Sequence, residues 1–111
     1  MIDDSGMVPW FELLQAEIGE LEPLDAHTHI GSNDPDGYRC TREQLVGSLE
    51  RIDARAFVFP MHEPDGYSAA NDMVIEQAQA SDGRLFAFAR LDPHDEPLAW
   101  ACSMTMSLAA E

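Results

Sequence analysis

The chain has 111 residues, 45% of them apolar, and 21 acidic side chains against six basic ones give a formal net charge of −15. That length and apolar fraction suit one small folded domain and argue against bulk disorder. The acidity speaks against nucleic acid and anionic membranes as partners, since both are bound through basic surfaces, and no apolar run approaches the ~20 residues of a membrane span.

In chain order, the start "MIDDSGMVPW" is acidic and lacks the basic-then-apolar layout of a signal peptide. Cys40 and Cys102 lie far apart and form no C-x-x-C pair, so two reduced thiols and a cytoplasmic location are expected. Residues 9–21 place Phe11, Leu14 and Ile18 at helical spacing, with Pro9 near the start. "PLDAHTHI", 23–30, reads as a strand, and "GSNDPDGYRC" as a loop dense in turn formers.

Thr41 and Gln44 then fit a capping box that opens a helix with Leu45, Leu49 and Ile52 on one face. "AFVFPM", 56–61, is a second strand and "HEPDGY" a second loop. "SAANDMVIEQAQA" is helical, with Ala70, Val74 and Ala78 in line, and "RLFAFARL", 84–91, is a third strand. Strands alternating with helices predict βαβ units and a parallel sheet. Helices would cover at least one face, and something else must cover the other.

The chemistry concentrates in "LDAHTHIGS", which holds two of the four histidines one residue apart. Side chains alternate across a strand, so Asp25, His27 and His29 are expected on one face at its carboxyl end, where α/β folds place ligands. Two imidazoles there can share a divalent metal, with zinc at about 2.0–2.1 Å from each nitrogen. Asp25 is then a candidate to orient one imidazole from behind. An isolated H-x-H is also compatible with two ordinary strand histidines.

"LDAHTHIG" resembles the first-strand signature of the amidohydrolase superfamily. "NDMVIEQAQASDGRLFAFARLDP" is similar to a helix–strand segment of its amidohydrolase-related branch, which also holds decarboxylases of the aminocarboxymuconate type. The resemblance runs from about Leu24 to Pro97. It implies an α/β fold, a partial (β/α)8 TIM barrel made of its first three βα units, with a metal site in which His27 and His29 are ligands and zinc the expected ion. A complete barrel of that kind takes about 250 residues. Residues 1–98 are therefore expected to be the amino-terminal part of an amidohydrolase-like barrel. Residues 99–111, "WACSMTMSLAAE" preceded by Ala99, read as an aberrant or truncated terminus. A short helix carrying Trp100, Met104 and Leu108 is the other reading.

Three further residues fall where the strands end. His62 follows the second strand, and Arg90 and His94 lie at the end of the third; each could line a substrate pocket. The histidines also read as solvated loop residues. Arg90 is the stronger candidate, because an anionic substrate needs a cation and cations are scarce here. Asp34 and Asp36 lack the remaining calcium-loop ligands and read as turn formers.

No phosphate loop or serine elbow is present. The expected function is that of an amino-terminal fragment of a metal-dependent hydrolase acting on amide, ester or related carbonyl bonds of a small molecule. A metal-dependent decarboxylase of the same superfamily, or a non-catalytic truncated product, is the alternative.

Overall fold

The computed structural model describes residues 5–19 and 21–93. The expectations placed on His94, Cys102 and residues 99–111 lie outside the described residues. The elements run α1 (Val8–Ile18), β1 (Leu24–Ile30), α2 (Arg42–Glu50), β2 (Arg55–Pro60), α3 (Ser68–Gln79) and β3 (Leu85–Ala87). Among the described residues, no helix is long and apolar enough to cross a membrane.

The three strands are parallel neighbours in the order β1–β2–β3. They form an open sheet with β1 and β3 at its edges, which corrects the expected partial (β/α)8 barrel. Closing a sheet requires strand number, tilt and register stagger to match around a full circle, and three strands leave two edges. Strand–helix alternation is common to every parallel α/β arrangement, so the pattern never separated an arc of a barrel from an open sheet.

One face of the sheet carries the core. Ile30, Ala56, Val58 and Leu85 from the strands meet Leu49 of α2 and Val74 and Ala78 of α3. The capping box forms as the residues predict: Gln44 N–H donates to Thr41 Oγ1 at 3.3 Å and Thr41 N–H to Gln44 Oε1 at 2.9 Å. This starts α2 so that Leu49 is buried and Leu45, Val46 and Ile52 pack around it. α1, by contrast, buries none of its residues, and Trp10, Leu13, Leu14 and Ile18 are exposed.

Two departures from regularity shape the carboxyl end. The β1–β2 register slips between Asp25 and Thr28: Asp25 pairs with Ala56 but Thr28 with Val58, so β1 spends one extra residue there. Asp25 Oδ1 accepts the His27 backbone N–H at 3.0 Å, and the Thr28 hydroxyl donates to the Phe57 carbonyl at 2.8 Å. Two side chains thus brace the backbone of this bulge.

The second departure shortens β3, which ends at Ala87 rather than running to Leu91. Phe88 N–H still donates to the Val58 carbonyl at 2.9 Å. Two residues on, the Asn71 side chain of α3 takes both backbone groups of Arg90. Its Oδ1 accepts the Arg90 N–H at 2.9 Å and its Nδ2–H donates to the Arg90 carbonyl at 2.8 Å. A helix amide occupies the place of a neighbouring strand.

Candidate metal centre

His27 and His29 project from β1 on the face away from the helices, among the rings of β2 and β3. His27 stacks on Phe59, with ring centroids 4.9 Å apart and planes at 26°, and His29 lies 5.9 Å from the same ring. The ladder explains this, because His29 and Phe59 are register partners. Phe57, Phe86 and Phe88 continue the aromatic layer.

The two imidazoles point their Nε2 atoms at each other, 3.0 Å apart. On its other side, His29 Nδ1 lies 3.0 Å from the Pro60 carbonyl oxygen. A carbonyl only accepts, so that nitrogen carries the proton, and a neutral ring then has its lone pair at Nε2. The geometry suits a shared divalent ion: two nitrogens bound to one zinc at about 2.0–2.1 Å, at angles between right and tetrahedral, stand roughly 3 Å apart. The carbonyl behind His29 is the kind of partner that fixes a ligating imidazole. Among the described residues no group of three or more His, Cys, Asp or Glu side chains is assembled for a metal, so the pair forms a two-donor set.

Asp25 occupies a different place from the one strict alternation suggested. The bulge sets it in register with Ala56, on the helix side, and its carboxylate meets the His27 backbone rather than an imidazole. It therefore acts on His27 through the main chain.

Arg90 and His62 do come together with His29. With Asp34, Tyr38 and Met61 they line a cavity of about 310 Å³ at the carboxyl end of the strands. Gly31 ends β1 and turns the chain over this cavity. Its φ is 152°, and a Cβ there would meet Met61 Cβ at 3.0 Å, so a side chain would force a shift. Gly31 and Cys40 exchange two backbone hydrogen bonds of 3.0 Å, closing the intervening loop that carries Asp34 and Tyr38. Burial pushes the Cys40 thiol above its ordinary value.

Several participants were not found from the residues alone. Phe59 and the Pro60 carbonyl needed the strand register; alternation in "AFVFP" would have placed Phe57 and Phe59 together but not beside the histidines. Asn71 had a signal, since it shares the buried helix stripe with Val74 and Ala78, and a polar group there needs partners. Compared with known proteins, the chain matches no family model, no curated protein and no solved structure.

Proposed function

We propose that His27 and His29 are ligands of a divalent metal, most simply zinc, in a hydrolase that acts on a carbonyl bond of a small molecule. The observation that carries the reading is the 3.0 Å approach of the two Nε2 atoms with His29 Nδ1 held on the Pro60 carbonyl. The resemblance of "LDAHTHIG" to the amidohydrolase first-strand signature supports it. An ion at this position would acidify water and polarise a carbonyl group.

The residues of the chain itself do the positioning. Pro60 holds the His29 ring with Nε2 outward. Phe59 lies against both rings on an otherwise apolar layer, which restricts their rotation and keeps water from one side. The Asp25 brace fixes the His27 main chain. The remaining donors and a base to take a proton from water must come from beyond the pair, since catalytic zinc normally has three protein ligands. The proposal places the chain in the cytoplasm, where thiols such as that of Cys40 are kept reduced.

Calorimetric titration with zinc tests the reading. The chain should bind one equivalent weakly, and His27→Ala/His29→Ala should not bind. Equal affinity in both proteins would refute it. The 111-residue chain alone should hydrolyse no ester or amide; chelator-sensitive turnover would show that two donors suffice.

A further inference from the structure

Of the six arginines, Arg90 is the one set on the wall of the cavity beside His29. Arg42, Arg55 and Arg84 each pair with an acid, at 2.8, 2.9 and 3.3 Å. Arg90 instead donates from Nη1 to the Pro60 carbonyl at 3.3 Å and lies over the Tyr67 ring, 4.9 Å from its centroid. Among the described residues no carboxylate pairs with it. The acid that shares its cavity, Asp34, turns its Oδ1 to the Asp36 N–H at 2.9 Å.

The guanidinium is also held in place. Asn71, 1% exposed, clamps the Arg90 backbone through two hydrogen bonds. Tyr67 is buried at the start of α3 and supports one face of the cation. A guanidinium has five N–H donors in a planar fork, and one is used on Pro60. A cation held rigid at a cavity wall, with no carboxylate paired to it among the described residues, is what an anion subsite needs.

The subsite adjoins the histidine pair. One oxygen, that of Pro60, accepts from both His29 Nδ1 and Arg90 Nη1. We propose that the cavity lined by His29, Tyr38, His62 and Arg90 binds the carboxylate of a small organic acid, with Arg90 as its anchor. The rest of the molecule then extends toward the paired Nε2 atoms. This names a substrate class for the site and rests on the metal reading only for what the far end of the acid meets; the anchor itself needs no metal.

Benzoate is a suitable probe, with uncharged benzamide as its control. Titrations of the full chain followed by ¹⁵N NMR, including the Arg90 side-chain Nε–H signal, would be run at moderate salt with chelator and again with zinc. Benzoate should bind with chelator present and move the Arg90 Nε–H signal. Arg90→Met should weaken it about tenfold or more, as loss of a charge-assisted fork demands. Arg90→Lys should recover part of that loss, and benzamide should not bind.

Benzoate binding that persists in Arg90→Met, or that benzamide matches, overturns the anchor. Binding seen only with zinc and unchanged in Arg90→Met overturns it too, while leaving the metal reading intact. Binding of benzoate at Arg90 without any zinc affinity would keep the anchor and remove the metal. If Arg90→Met does not fold, the wild-type Nε–H signal decides: a shift with benzoate supports the proposal and its absence at saturation refutes it.

Discussion

The two faces of the sheet are built from the same three strands to opposite ends. On the helix side Ile30, Ala56, Val58 and Leu85 are each less than 5% exposed and touch one another's neighbours on α2 and α3. On the other side the side chains are larger and wetter: Phe86 is 39% and Phe88 46% exposed, and His27 is exposed. Aliphatic side chains thus make the packed face, and rings make the open one. The first face holds the packed core and the second the histidine pair proposed to bind metal, so substitutions should separate stability from binding.

The largest expected effect is on the packed face. Ile30→Ala removes a fully buried side chain and should cost about 2–5 kcal/mol in urea unfolding. Phe86→Ala, one layer away, should cost about 1 kcal/mol or less, because a half-exposed ring loses less burial. Equal losses would mean that the open face is part of the same core.

Asn71→Ala comes next. It leaves the Arg90 backbone N–H and carbonyl without their partner in a half-buried site, a loss of about 1–3 kcal/mol. It should also abolish benzoate binding at Arg90 under conditions where the protein stays folded by circular dichroism. Stability loss with unchanged binding would show that the clamp serves only the packed face.

Much of the packed face was legible beforehand. Leu49, Val74 and Ala78 declare themselves by helical spacing, and Thr41 with Gln44 declares where α2 begins, because both signals are local. The parallel order of the strands followed from the helices between them. The open face was less legible. The histidines could be singled out by their spacing, but Phe59 and the Pro60 carbonyl enter through pairing between strands, which no local pattern encodes. Asp25 was misplaced because alternation assumes an unbroken ladder, and a bulge breaks it. The barrel was implied by the resemblance and not by the alternation, and closure is a property of strands taken together, which the three strands of this open sheet do not have.

Smaller effects test the local signals. Thr41→Ala should cost about 1 kcal/mol through loss of the N-cap, with no change in zinc affinity. Glu43, in the first turn of α2, is held below the usual carboxylate value, first by its own backbone N–H and then by the Thr41 side chain. Its contribution is therefore present above the unfolded-state value and lost as pH falls through the folded one. Glu43→Gln should lower stability slightly at neutral pH, and its difference from the wild type should shrink as pH falls through that acidic window. A difference that grows as pH falls would contradict the sign.

The extra residue in β1 gives the strand slack of one position, and where that slack is taken up matters. Deleting Ala26 would let the ladder run without interruption: Leu24 and Asp25 keep Arg55 and Ala56 as partners, and Thr28, His29 and Ile30 keep theirs. His27 would then fall opposite Phe57 and stay with its partner imidazole. Deleting Thr28 consumes the same slack but moves His27 opposite Val58, onto the helix side, and leaves His29 alone. Two deletions of equal length, two residues apart, should thus differ in whether zinc still binds. The bulge is a spacer that absorbs a change in length on one side of His27 and transmits it on the other.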